Sequence, residues 1–261
     1  MRMIAATSLL ILVSSLAQAA PLPVPTVQKI NERVYALLGP IGLPNKSNQG
    51  YMVNATAIIG ENGIILVDTG FTDEIGQHLA RALAKVTPKP VTHIINTHHH
   101  GDHHLGNIVF KGAEVISTQQ CKELVEKTGH DFIEMVQTLS GSKFPNTKPV
   151  PASVTVAQDT RTERVIDGVR IVLWAPKDSH TPGDLIVYLP DDKVLMSGDI
   201  LVNQVIPIFS DGHIKTWIAT LEDIQKMNVK TIVPGHGPLM TKADVAAMQD
   251  RKSTRLNSSH Q

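Results

Sequence analysis

The sequence predicts an α/β fold, and three observations predict it. Runs rich in β-branched residues precede a stretch with helical spacing, that order is given twice, and Gly-Pro or Asn-Gly punctuation separates the pieces. In the first half, residues 27–38, 51–59 and 63–67 read as strands. Residues 73–85 read as a helix, because Ile75, Leu79, Leu83 and Val86 make one apolar stripe; residues 91–96 return to strand. Cys121 stands just before 122–127, a helical stretch, and 140–151, rich in Lys, Pro and Ser, reads as a long surface loop. In the second half 169–174, 184–189 and 193–196 read as strands, 216–227 as a helix and 230–233 as a closing strand. Residues 242–250 begin an amphipathic helix, after which 251–261 lose any apolar period. The expectation there is an irregular, non-native tail, so no ligand assignment rests on His260.

Composition narrows the function classes. The 24 Lys and Arg balance 24 Asp and Glu, which disfavours a polyanion such as nucleic acid as partner. Hydrophobic residues at 42% against 18% charged ones supply a core and exclude intrinsic disorder. One cysteine excludes an internal disulfide framework. At the start, Arg2, the apolar run 4–13 and the small-x-small pattern Ala17-Gln18-Ala19 predict a signal peptide over 1–19. The run stops at Ser14 and Ser15, short of the ~20 apolar residues of a spanning helix. The expectation is one domain over 20–250, periplasmic or secreted, with no membrane attachment after cleavage. Cys121 then reads as a buried packing residue.

The chemistry is concentrated after the strand 91–96. Thr97-His98-His99-His100-Gly101-Asp102-His103-His104 holds five of the twelve histidines and a carboxylate in eight positions. Extended backbone sends alternate side chains to one face, so His98 and His100 converge on one metal, and a turn at Gly101 redirects Asp102 and His103 toward a second. Imidazole and carboxylate donors suit zinc, and also iron or manganese. Three further candidates stand at strand-to-loop junctions, where sites are commonly built: His180 in Ser179-His180-Thr181-Pro182-Gly183-Asp184, Asp199 in Ser197-Gly198-Asp199, and His236 in Pro234-Gly235-His236-Gly237.

In this combination the chain resembles the metallo-β-lactamase superfamily. The resemblance rests on the His-x-His-x-Asp-His motif at His98, His100, Asp102 and His103, followed by His180, Asp199 and His236, with Val67-Asp68-Thr69-Gly70 upstream, and spans about residues 27–239. It implies a four-layer αβ/βα sandwich with metals in a cleft at one edge of the sheets. Carried over, it puts His98, His100 and His180 on one metal and Asp102, His103 and His236 on a second. Asp199 bridges them. Two Zn2+ per chain are the implied cofactors, Asp102 and Asp199 the implied catalytic carboxylates, and a bridging hydroxide the implied nucleophile. Asp68 resembles a carboxylate that orients a ligand, while His99, His104 and Asp184 are supporting or surface candidates.

The implied reaction is hydrolysis of an ester, lactone, thioester or β-lactam. The net charge of two divalent metals, two aspartates and hydroxide is positive, so the expected partner is an anionic, carbonyl-bearing small molecule. Superfamily β-lactamases with a metal-binding Cys carry it where this chain has Asp199, and their following lysine has no match in 200–204. The context of Asn48-Gln49-Gly50 and of 180–185 is similar to exported zinc metallohydrolases of sulfur-oxidation and quinoprotein systems. Asn203, Gln204, Lys177 and Trp174 are further candidates for substrate contact. Two other readings stand beside it: a persulfide dioxygenase with a single iron, and a secreted metal-binding protein without turnover. Oligomeric state is not readable from the sequence.

Overall fold

Period-two alternation along the strands decides the architecture. In β4 (Ile64–Val67), Ile65 and Val67 point to one side and Ile64 and Leu66 to the other; all four are buried, so the strand is covered on both faces. β9 (Val169–Ala175), β10 (Ile186–Leu189) and β11 (Val194–Met196) do the same: Ile171, Leu173, Val187, Val194 and Met196 face one layer, and Trp174, Ile186 and Leu195 face another. The computed structural model describes residues 21–258, with side chains to residue 250; the expected signal peptide lies outside the described residues.

Seven strands form the first sheet in sequential order. β1 (Thr26–Lys29), β2 (Val34–Leu38), β3 (Ala55–Ile59) and β4 are antiparallel, while β5 (Val91–Ile95), β6 (Glu114–Thr118) and β7 (Val154–Val156) continue from β4 in parallel. The second sheet runs β8 (Thr160–Ile166), β9, β10, β11 antiparallel, then β12 (Thr231–Val233) parallel to β11. The inner faces of the two sheets share one core, from Val34, Ile58 and Ile95 on one side to Ile171, Val187 and Val233 on the other. Outside the first sheet pack α1 (Asp73–Leu83) and α3 (Gln119–Ser140); outside the second packs α4 (Ile214–Lys226), with α5 (Lys242–Ser258) against it. The order of layers is therefore helix, sheet, sheet, helix, the four-layer αβ/βα sandwich that the resemblance implied.

The helices are cut where the sequence caps them. The Thr72 hydroxyl accepts from Ile75 N at the start of α1, and the Thr118 hydroxyl accepts from Cys121 N at the start of α3. α3 ends at Gly141, whose φ of 68° suits glycine, and the long loop that follows returns Thr147 to donate to the Asp73 carboxylate. No helix among the described residues is long and apolar enough to cross a membrane.

Four sequence expectations change. Residues 27–38 are two antiparallel strands, because Asn31 Oδ1 accepts from Arg33 N and Val34 N and turns the chain. The stretch 51–59 becomes strand only at Ala55, its first residues turning under the strand ends. The sequence reading did not mark β6, β7 and β8: β7 has only three residues, and β8, at the sheet edge, alternates exposed Arg161, Glu163 and Val165 with half-buried residues. Finally, the backbone of 251–258 continues α5 instead of forming an irregular tail, since no Gly or Pro interrupts it.

Trp217 ties α4 to the loop after β11: fully buried, it donates from Nε1 to Ile200 O at 2.8 Å. Trp217→Phe keeps most of the apolar contact but strands that carbonyl, so it should cost about 1–3 kcal/mol. Urea denaturation should show the midpoint falling with the slope unchanged.

Candidate metal centre

Every candidate ligand leaves a strand at the same edge of the sandwich. Asp68 follows β4, the histidine cluster follows β5, His180 lies between β9 and β10, Asp199 follows β11 and His236 follows β12. The cluster is not built as expected from extended backbone and a turn. β5 ends at Ile95, residues 97–100 bend, and Gly101 opens a one-turn helix, α2 (Gly101–His104). That turn of helix brings Asp102 and His103 to His236 while His98 and His100 meet His180; the two sets stay in contact, with the His98 and His103 rings 4.1 Å apart between centroids and both grouped with Asp199.

The structure brings the seven residues together as two sets that share one aspartate. In the first, the donor atoms of His98, His100 and His180 lie within 4.8 Å of one another, with His180 Nε2 3.2 Å from His100 Nδ1. In the second, Asp102 Oδ2 is 3.2 Å from His236 Nε2 and 3.5 Å from His103 Nε2. Asp199 stands between them: Oδ1 is 3.3 Å from both His103 Nε2 and His236 Nε2, while Oδ2 turns toward His180 Nε2 at 3.8 Å. Donors on a tetrahedral ion with bonds of 2.0–2.1 Å stand roughly 3.3 Å apart, so most of these edges already have the required length.

The electrostatics fit a divalent cation. Burial pushes His98 well below the usual imidazole range, with His103, His100 and His180 adding to the effect, and its Nε2 is buried without a hydrogen-bond partner. A neutral, orphaned imidazole nitrogen is a ligand in want of an ion. In the second set burial opposes every charge, yet the Asp102, Asp68 and Asp199 carboxylates hold His103 well above its ordinary value. His236, pressed the same way by burial, is raised to about 10 by Asp199 and Asp102. Conversely, Asp102 stays at about 2 against its burial because of His103 and His236, which also keep Asp199 well below the carboxylate range. Protons on two imidazoles here balance carboxylates that a metal ion would otherwise neutralise.

A ring of supporting groups orients these donors. Asp68, at a positive φ of 60°, accepts from Thr97 N at 2.9 Å, Thr97 Oγ1 at 2.7 Å and His103 Nδ1 at 2.8 Å, which leaves Nε2 of His103 to face the centre. Asp184 is buried, not a surface residue: its carboxylate accepts from His180 N, Thr181 N and Thr181 Oγ1, and burial lifts its pKa to about 7. His99 and His104 are likewise buried, with pKa values driven down to about 4 and about 3, burial being the main cause. Sequence reasoning missed two supports. Asp211 Oδ2 sits 2.9 Å from His100 Nε2, and Asn54 Nδ2 donates to Pro234 O and Gly237 O on either side of His236. Both look like ordinary turn residues, since nothing local marks their distant partners.

The remaining candidates fall away from the centre. Trp174 lies under Arg161, whose guanidinium stacks 3.8 Å from the ring. Asn203 Nδ2 reaches Pro238 O and Leu239 O and braces the His236 loop, while Gln204 is exposed at positive φ and Lys177 is exposed. Cys121 belongs to none of the donor groups, and burial pushes its thiol up to about 12, so it holds no thiolate at neutral pH.

Two substitutions test this framework. A Cβ on Gly235 would fall 1.9 Å from Asp199 Oδ1, so Gly235→Ala should displace that carboxylate and lower metal affinity while the far-ultraviolet circular dichroism is retained. Asp68→Asn cannot accept all three hydrogen bonds, and metal affinity by competition with a chelator should fall about 10–100-fold.

Comparison with known proteins agrees with the fold. The metallo-beta-lactamase superfamily model matches residues 48–236. A metallo-beta-lactamase type 2 from Bacillus sp. (strain 170) is 25% identical over 197 residues, covering 72% of this chain and 68% of that one. The beta subunit of a 2,4-dinitroanisole O-demethylase from Nocardioides sp. (strain JS1661) is 30% identical over 190 residues, covering 71% of this chain and 54% of that protein. Among solved structures, a metallo-beta-lactamase from Pontibacter korlensis superposes with a TM-score of 0.69 at 21% identity, over 88% of this chain and 99% of the other. The matched span contains all seven converging residues; the chain belongs to the metallo-beta-lactamase superfamily and is a metal-dependent hydrolase.

Proposed function

We propose that this chain is an exported, dinuclear zinc hydrolase of small molecules with an ester, lactone, thioester or β-lactam bond, and that residues 1–19 are its signal peptide. One observation carries the dinuclear reading: two donor sets of three residues share Asp199, whose two oxygens face opposite sets. In this reading His98, His100 and His180 hold one ion, Asp102, His103 and His236 the other, and Asp199 both. When bound, such a pair polarises a carbonyl oxygen and acidifies water toward neutral pH.

The side chains supply the rest. Asp68 accepts from His103 Nδ1, so a bound ion would displace the Nε2 proton and meet its lone pair. Met52 O does the same for His236, accepting from Nδ1 at 3.0 Å. Asp184 fixes the backbone at His180, and Asp211 holds the outer nitrogen of His100. The centre opens on one side to a cleft walled by Asp199 and His236, where a scissile bond can approach. Hydrolysis there adds the elements of water across the bond: oxygen joins the carbonyl carbon, the carbon–heteroatom bond breaks, and the leaving heteroatom takes a proton. No protein nucleophile is required. The related proteins' names cover more than one bond type, β-lactams and an aryl ether among them, so the donor set alone leaves the substrate open.

The reading makes two measurable claims. Elemental mass spectrometry of protein recovered from the periplasm should give close to two zinc per chain and an N-terminus at Ala20; about one iron per chain would overturn it. Asp199→Asn should abolish ester or lactone turnover and reduce bound metal, with the fold kept by circular dichroism; full activity in that variant would exclude the shared ligand.

A further inference from the structure

The cleft beside the metal centre has an unusual lining for a site expected to take an anion. Ile41 and Leu43 project from the loop after β2, and Val205, Ile206 and Ile208 from the segment between Asp199 and α4, with Met52 at the base. Ile41, Leu43, Ile206 and Ile208 are each more than half exposed, although isoleucine and leucine are ordinarily drawn inward. The space they enclose is about 230 Å³, and Asp199 and His236 form its inner wall, so its occupant touches the centre directly. A cavity of about 150 Å³ lined by such residues accommodates a benzene ring, so one ring or a short alkyl chain fits.

Among the described residues, no Lys or Arg side chain lines the cleft to hold a carboxylate arm there, and residues 201–213 contain none at all. Lys46, the one basic residue of 39–50, packs its stem against Gly141 at the end of α3. The only formal charge that the outer segment adds is that of Asp211. An anionic arm entering the cleft would lose hydration against aliphatic side chains, whereas an apolar arm gains by leaving water.

We infer that the cleft selects neutral carboxylic esters or lactones by an apolar acyl arm, and discriminates against substrates that are anionic at the same position. This inference rests on the hydrolase reading for its chemistry and departs from the anionic substrate expected from the metal charge. That positive charge is buried among its ligands at the inner wall, while the surface met by the rest of the substrate is aliphatic.

The test uses the zinc-loaded protein with three p-nitrophenyl esters: acetate, hexanoate and the half-ester of adipate, which matches hexanoate in length but ends in a carboxylate. A buried methylene contributes about fourfold, so kcat/KM should rise at least about tenfold from acetate to hexanoate even with partly exposed walls. The adipate half-ester should fall at least about tenfold below hexanoate. In the double variant Ile41→Ser, Ile206→Ser the hexanoate-to-acetate ratio should drop below about threefold with zinc content unchanged. Independently of turnover, 1-hexanol added to the same protein should shift the methyl resonances of Ile41, Leu43, Ile206 and Ile208, and sodium hexanoate should not. Equal rates for the three esters, or adipate as the best substrate, overturn the inference and leave the hydrolase reading standing. Methyl shifts with hexanol but no hydrolysis of any ester support the apolar cleft and count against ester chemistry. Neither shifts nor chain-length dependence overturns the inference outright.

Discussion

A buried carboxylate is tolerated only beside compensating charge or donors, and at the mouth of this sandwich Asp68, Asp102 and Asp199 are buried or nearly so within one small volume. Their partners are imidazoles from the turn of helix after β5, the β9–β10 loop and the loop after β12, so satisfying the charges requires that both sheets end at the same edge. Asp68 shows the dependence most directly. It leaves the first sheet, binds the backbone and hydroxyl of Thr97, and fixes His103, which in turn meets Asp199 from the second sheet. Cross-sheet packing and donor placement are therefore one constraint: shift the sheets by a strand spacing of about 4.8 Å and the donor sets no longer form.

The close approach also explains the glycines around the centre. At Gly235 no side chain fits, because the Asp199 carboxylate occupies the place its Cβ would take. At Gly198 the backbone turns through a positive φ of 50° to deliver Asp199 from β11 into the gap. Asn54, reaching from just before β3 to the carbonyls flanking His236, locks the second sheet's loop to the first sheet. The donors are preorganised by backbone that has nowhere else to go.

Rigidity at the inner wall contrasts with the outer lips of the cleft. The ligands and their supports are buried and hydrogen-bonded, whereas Leu43 and Ile206 stand largely in solvent. The two kinds of surface are thus separated in space: buried polar groups converge at the inner wall, and exposed aliphatic side chains stand on two loops at the lip. Loops can vary such a lip without disturbing the donors.

The sequence by itself determined the fold class and singled out the seven residues that converge. Alternation within strands, a helical stripe at Ile75, Leu79 and Leu83, and histidines packed at a strand end are local signals, because each residue's role follows from near neighbours. The three-residue strand β7 and the edge strand β8 were not legible, since strand identity there comes from pairing, not from composition. Tertiary structure alone decided which ligand meets which. Asp211 reaching His100 across 111 positions, Asn54 reaching Pro234 across 180, and an aliphatic cleft made of two distant loops leave no mark on their own segments. Hydrogen bonds and apolar contacts act over a few ångströms of space, so partners far apart along the chain become visible only once the two sheets are packed.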